Sequence, residues 1–328
     1  MISEVSYKFG INVIHNNKRI CLDPTKQIHC DLIFVSHAHT DHLHQTRSLN
    51  ATPKIITSNV TSKIAKHRGY ILGTEFKEHN FHLLDSGHIL GSKALLIEDE
   101  LYYTGDISIR PRAFMKPAFI PKAKILLIES TFGIPDFIFP KIEDIIQETN
   151  YIISKMYNDG IPVVLTGYPL GKAQILSFIF KHWQPIYVHD SIREYNNIYS
   201  KFGVNIDNYK SFSQAESEGL LSPNRPWILI APLSSSRKGF LHYVKEKYNP
   251  ITIGFSGWAI KSNYKFILGL DYTFPLSDHC DYNELLAVVK KCDPDMVYTF
   301  HGFADQFAYS LTKMGYNATP INRKKVTS

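Results

Sequence analysis

The stretch VSHAHTDH, residues 35–42, closes an apolar run that begins at Leu32 and reads LIFVSH. A short apolar run of this kind reads as a buried strand, and the strand ends where the first histidine begins. Beyond it, His37, His39, Asp41 and His42 fall within six residues. The segment is free to loop so that their side chains converge on one small volume. Imidazole nitrogen and carboxylate oxygen suit zinc, at ~2.0–2.2 Å. A histidine-rich surface loop would explain His-x-His alone, but not the further Asp-His directly after an apolar strand. Four ligands this close exceed what one open catalytic metal takes from one loop, so the density points to two metals. His44, two residues on, reads as a loop residue.

Further ligands must come from other strand ends. DSGHILGS (85–92) supplies His88, with Gly87 and Gly91 allowing tight backbone beside it. ELYYTGD (100–106) supplies Asp106 directly after a strand and a glycine, where a carboxylate can bridge two metals. FHGF (300–303) supplies His301, again at a strand end. Singly each has a bland reading, since Gly-Asp after a strand is usually a turn. Their order and strand-end placement argue for them jointly.

Two more segments read as acid–base parts. KILLIES (124–130) ends on Glu129, and LSDHCDY (276–282) holds His279. Histidine titrates near neutrality and can protonate a leaving oxygen. A carboxylate beside it would fix its tautomer and favour its charged form. Glu129 and His279 are the expected pair, with Asp278 and Asp281 as competitors for the carboxylate role.

The rest of the chain sets the frame. At 328 residues, 44% hydrophobic and 20% charged, it is long enough for two domains with real cores. A net charge of +6 permits a polyanionic partner without demanding one. No apolar run approaches the ~20 residues of a membrane helix. The N-terminus lacks a signal-peptide pattern, so a cytoplasmic location is expected. The four cysteines form no Cys-x-x-Cys pair, so reduced, mostly buried thiols are expected.

Residues 1–134 are rich in short strand-like runs, including KIITS (54–58) and KALLIED (93–99). From 135 to about 270 helix and strand alternate. Ile142, Ile145, Ile146, Thr149, Ile152, Ile153 and Met156 mark one helical face, and Gly160 offers its cap. PVVLTGY (162–168), PIYVHD (185–190), WILIAPL (227–233) and ITIGFS (251–256) read as strands of a parallel, doubly wound sheet, with a helix near 171–183. After 270 come a helix at 281–291, a strand running into His301, and a last helix at 304–314 burying Phe307, Leu311 and Met314. The expected domains are therefore 1–134, an insert at 135–270, and a return at 271–328.

Taken together, VSHAHTDH, LDSGHILGS, YTGDIS, LIESTFG, PLSDHCDY and FHGF resemble the β-CASP branch of metallo-β-lactamase-fold nucleases. ESTFGIP, GYPLGKAQIL, SGW and TFHGF look most similar to the DNA-ligase-associated exonucleases, a group labelled as similar to messenger-RNA 3′-end processing factors. The resemblance spans the chain. It implies an αββα metallo-β-lactamase sandwich with an inserted doubly wound α/β β-CASP domain. It implies one metal on His37, His39 and His88, a second on Asp41, His42 and His301, and Asp106 bridging. It matches Glu129, His279 and His301 to the branch's three motifs, with His279 beside the leaving group and touching Glu129. Where ligase-associated enzymes are arginine-rich after Ser-Gly-Trp, this chain has Lys261 and Lys265.

The expected activity is two-metal hydrolysis of phosphodiester bonds in DNA, with RNA as the alternative polymer. Zinc is the default metal and manganese a substitute. Single strands are the expected substrate, and a DNA ligase or helicase a candidate partner. Two cations would activate water and neutralise phosphate charge, with His279 as the acid and Asp41 in the catalytic set. Ser234–Lys238, and Gly171 with Lys172, are candidate phosphate contacts at helix starts. Rival readings are an ester or thioester hydrolase of the same fold and a catalytically dead binding subunit. The size of the insert argues against the first, and the filled ligand positions against the second.

Overall fold

The computed structural model describes residues 2–26, 29–43, 54–70, 72, 74–77 and 79–321. The chain falls into two compact units. One comprises Met1–Pro111, Met115–Ile138 and His279–Ser328, and the other Arg112–Phe114 and Phe139–Asp278. His44 lies outside the described residues.

The first unit opens with six strands that pair in chain order. They are β1 (Ile2–Tyr7), β2 (Ile11–His15), β3 (Lys18–Leu22), β4 (Leu32–Phe34), β5 (Lys54–Ile56) and β6 (Thr74–Glu75). β1, β2 and β3 pair antiparallel through short turns, and β3 to β6 pair parallel. Helix α1 (Asn59–His67) lies between β5 and β6 in the chain, capped by Ser58, which accepts from the Thr61 amide at 3.0 Å. A second sheet starts with β7 (Phe81–Asp85), β8 (Lys93–Ile97) and β9 (Leu101–Tyr103), all antiparallel, and then β10 (Ile125–Glu129) beside β9 in parallel.

The chain then enters the second unit. Its helices are α2 (Ile142–Asn158), α3 (Lys172–Ile179), α4 (Asp190–Lys201), α5 (Phe212–Ser217), α6 (Gly239–Tyr248) and α7 (Tyr264–Leu268). Its strands are β11 (Val163–Gly167), β12 (Ile186–Val188), β13 (Lys210–Ser211), β14 (Ile228–Pro232), β15 (Ile251–Phe255) and β16 (Tyr272–Phe274). They form one wholly parallel sheet in the order β13-β12-β14-β11-β15-β16. On α2 the residues Ile142, Ile145, Thr149, Ile152, Ile153 and Met156 are buried, the face that the sequence marks. The unit runs to 278 because 272–274 adds an edge strand to this sheet. Arg112–Phe114 groups with it because the Phe114 ring meets those of Phe178 and Tyr199.

On returning to the first unit, the chain forms α8 (Tyr282–Cys292), β17 (Met296–Phe300), α9 (Ala304–Lys313) and β18 (Ala318–Pro320). β17 lies parallel beside β10 and carries β18 on its other side. The second sheet is thus completed by strands far apart in sequence. Its inner face shares a core with the first sheet: Val13, Ile20, Leu32 and Phe34 pack with Leu95, Ile97, Tyr103 and Leu127. Its other face packs Leu126, Ile128 and Val297 against Leu285, Val289, Phe307 and Leu311 of α8 and α9. Met314 is 53% exposed, against expectation, because it caps α9 one residue beyond the last buried turn. Cys21, Cys280 and Cys292 are buried and Cys30 is half-buried.

Candidate metal centre

One end of the first unit collects the polar chemistry. β3 and β4 share a direction in the first sheet, β9, β10 and β17 in the second, and β7 runs with β9 because both are antiparallel to β8. The Tyr103–Asp23 and His37–Asp106 contacts bring the strand ends of the two sheets together. Parallel strands leave their loops at one edge, so the segments after them meet there. Asp23 follows β3, His37 follows β4, His88 follows β7, Asp106 follows β9 and His301 follows β17, while Glu129 ends β10. After β4 a single short turn at Thr40–His42 brings Asp41 and His42 back to the same place.

His37, His39, His88 and Asp106 form one potential ligand group, and Asp41, His42 and His301 a second, with donor atoms in each within 4.8 Å of one another. In the first, His37 Nε2 lies 3.0 Å from His39 Nδ1, and His88 Nε2 lies 3.1 Å from the same atom. Asp106 Oδ2 stands 3.4 Å from His37 Nε2, 3.5 Å from His88 Nε2 and 3.5 Å from His42 Nε2. It therefore touches members of both groups. The edge of a tetrahedron with zinc-like bonds of ~2.0 Å is about 3.3 Å, and these separations scatter around that value. In the second group the His42 and His301 rings stack at 5.2 Å, and Asp41 Oδ2 is 3.8 Å from His42 Nε2.

Left-handed backbone positions two of these side chains. His301 has φ 59°, a left-handed conformation uncommon outside glycine. Ser130 holds it by donating its hydroxyl to the carbonyls of Phe300 and His301, at 2.8 and 3.0 Å. Gly87, just before His88, has φ 72°, and a Cβ there would lie 2.2 Å from the Ser108 carbonyl oxygen.

Asp23 is the residue that sequence reading missed. Its Oδ2 accepts from His42 Nδ1 at 2.8 Å, from the Tyr103 hydroxyl at 2.8 Å and from the Ser36 hydroxyl, and its Oδ1 accepts from the Ser36 amide at 2.7 Å. The hydrogen bond at Nδ1 turns His42 Nε2 toward the cluster, the usual way a carboxylate orients a ligating imidazole. The available signal was weak: LDP (22–24) is a lone aspartate after a strand end. Burial disfavours the His42 cation, yet Asp106, Asp23 and Asp41 outweigh it and raise its pKa to about 10. Burial raises Asp106 to about 7, against the pull of His42 and His279. Burial and the neighbouring histidines hold His37 well below the ordinary range.

Glu129 is fully buried and His279 lies beside it. Glu129 Oε1 accepts from His279 Nδ1 at 2.8 Å and from the Ile107 amide at 3.0 Å, while Oε2 accepts from the Thr131 amide at 3.0 Å. Burial works against this carboxylate, but His279 and the amide donors overcome it and bring its pKa to about 2. The His279 ring sits 4.6 Å from that of His88. The competing aspartates also have other partners. Asp281 caps α8 in a reciprocal box with Glu284 and pairs with Arg110 at 3.0 Å. Asp278 pairs with the buried Lys172 at 2.8 Å.

That pairing, with a second bond from Lys172 to the Leu276 carbonyl, commits the Lys172 ammonium within the second unit. Ser236 is likewise committed, donating to the Gly269 carbonyl, and Arg237 donates to that of Phe266.

The cluster suits cations by its own chemistry. His42 Nε2 and Asp106 Oδ1 are buried and make no hydrogen bond. An orphaned buried polar atom costs about 1–3 kcal/mol, more when charged, and a cation there satisfies both. Imidazole and carboxylate are the donors that zinc-class ions take.

No family model matches the chain. It is 31% identical over 299 residues to a probable DNA ligase of Opitutus terrae, a match covering 88% of this chain. The chain spans only 28% of that relative's length. It is 24% identical to an RNase J-like protein of Methanocaldococcus jannaschii over 83% of this chain and 81% of that one. These relatives are members of the metallo-β-lactamase/β-CASP family, and the chain is similar to them along most of its length. The β-CASP family is metal-dependent, and the His/Asp groups described above can hold such ions. In fold, the chain resembles a protein of unknown function from Enterococcus faecalis V583, with TM-score 0.63, 13% identity and coverage of 98% and 97% of the two chains.

Proposed function

We propose that this chain is a nuclease that uses two divalent ions, zinc by donor type, to hydrolyse phosphodiester bonds. DNA is the favoured polymer, with exonucleolytic action in repair or end processing. One observation carries the reading: two ligand groups meet at Asp106, and a histidine locked to a buried carboxylate stands beside them. In this reading the first unit is the αββα sandwich and the second the inserted β-CASP domain. His37, His39 and His88 hold one ion, and Asp41, His42 and His301 the other, with Asp106 between them. Manganese is an alternative occupant by the same donors.

Ions held there supply Lewis acidity that polarises phosphate oxygens and eases ionisation of water. The chain's own residues do the rest. Glu129, with both oxygens held, fixes His279 as a donor through Nδ1. That leaves Nε2 to carry a proton toward a departing sugar oxygen. Asp23 orients His42 through its other ring nitrogen.

Support for DNA is the 31% identity to the probable DNA ligase over 88% of this chain. It also motivates a ligase, or a helicase, as a partner. RNA is the second reading, favoured by the match to 81% of the RNase J-like protein. End-labelled DNA and RNA, single- and double-stranded and with different 5′ ends, would be incubated with the full chain and with His279→Ala. Faster loss of single-stranded DNA, abolished in the variant, is the expected result. Faster cleavage of RNA would replace the reading with the second. Turnover of thioesters with neither polymer cut would end both.

Among the described residues, no helix is long and apolar enough to cross a membrane.

A further inference from the structure

A second set of metal-type donors lies at the other end of the first unit. β3 runs from Lys18 toward Asp23, and β9 from Leu101 toward Asp106, so both point into the histidine cluster. His15 ends β2 at the turn into β3, and Glu98 and Glu100 lie in the turn between β8 and β9, where those strands leave the opposite end. One donor atom of each of His15, Glu98 and Glu100 lies within 4.8 Å of the others.

Two acidic residues near a surface would mean little by themselves. The informative residue is His15, only 5% exposed, whose Nε2 is buried and makes no hydrogen bond. That atom points into the carboxylate pair, 3.5 Å from Glu98 Oε1. The acids are held by neighbours: Asn80 Nδ2 donates to Glu98 Oε1 at 3.0 Å, the oxygen that also faces His15, and the Ile2 amide donates to Glu100 Oε2 at 2.8 Å. Glu98 itself sits at φ 51°, in the left-handed region.

We propose that His15, Glu98 and Glu100 form a structural cation site, distinct from the catalytic cluster, that takes a zinc-class divalent ion. One imidazole and two carboxylates are a three-ligand set that zinc completes with water. The nitrogen donor disfavours magnesium and calcium, which prefer all-oxygen shells. His15 belongs to the first sheet and the glutamates to the second, so the ion cross-links the two sheets where the sandwich opens to solvent.

The competing occupant is a proton, which would make His15 an ordinary ion-pair partner of Glu98. Metal-stripped full-length protein is titrated with Zn2+ by calorimetry, and bound zinc is counted after desalting. Glu98→Gln/Glu100→Gln should bind one ion fewer per chain than the unaltered protein while keeping its nuclease rate. Equal stoichiometry overturns the proposal, whatever number the catalytic cluster holds. Should the variant misfold, diffraction at the zinc edge from the unaltered protein decides. An anomalous peak against His15 Nε2 upholds the site, and its absence in crystals whose catalytic cluster is filled overturns it. Neither readout depends on which polymer the enzyme cuts.

Discussion

At the scale of single residues, His279 and Asp23 make separable predictions. His279→Ala removes the proposed proton donor and leaves both potential ligand groups intact. Its kcat should fall by ~10²–10⁴-fold, the usual contribution of general acid catalysis, with zinc content unchanged. Asp23→Asn keeps the shape but weakens the acceptor that orients His42. Its zinc affinity should fall by ~10–100-fold, read by competition with a chelator, and saturating zinc should restore activity. Zinc loss from His279→Ala, or an Asp23→Asn protein that binds zinc normally, would reverse the two roles. The difference between these residues also measures what sequence could show. His37, His39, Asp41 and His42 are legible because their spacing is dense and follows an apolar strand. Asp23 lies 14 residues before His37, within an unremarkable Leu-Asp-Pro. Only the pairing of β3 with β4 brings it to the site.

At the scale of elements, the turn after β17 is sensitive to a small change. Gly302 has φ 48°, and a Cβ there would lie 2.4 Å from Thr131 Cα. The contact is with backbone, so it cannot be relieved by a rotamer change. Gly302→Ala should move the β17 turn, displace His301 and lower stability by about 2 kcal/mol or more in urea unfolding. A variant with the original midpoint and zinc content would show that the turn can give. Elements were legible where burial writes an unbroken apolar run, as at LIF (32–34) and KILLI (124–128), since strands buried on both faces carry no polar alternation. β1 and β2 were not singled out. β1 is only partly buried, and its ISEVSY mixes polar and apolar residues. The 271–278 stretch groups with the second unit, and YTF (272–274) is too short to reveal its sheet in sequence. Its membership follows from pairing with β15, a tertiary fact.

At the scale of the whole molecule, a cluster built for cations should make the metal-free fold sensitive to alkali. His42 is raised from 6.5 to about 10, so its stabilising contribution is complete below pH 6.5 and is lost as pH rises through 10. Asp106, raised from 3.8 to about 7, has the same sign at lower pH: its contribution is complete below 3.8 and lost as pH rises through 7. Glu129 is opposite, lowered from 4.5 to about 2, so its contribution stands above 4.5 and is lost as pH falls through 2. His37, held neutral by burial, costs stability only on the acid side of 6.5. Between pH 6.5 and 9 the falling contributions of His42 and Asp106 dominate, and the chelated protein should lose stability as pH rises. Metal reverses the trend. On the proposed ligand assignment a cation would take the place of the proton on His42 and offset the charge of Asp106, and ligand deprotonation would favour binding as pH rises. Urea midpoints across this window, in chelator and in zinc, should therefore diverge, the chelated series falling and the loaded series level or rising. Parallel series would mean that His42 and Asp106 are not where the ions bind, since no other arrangement of these groups ties the fold's alkaline stability to metal.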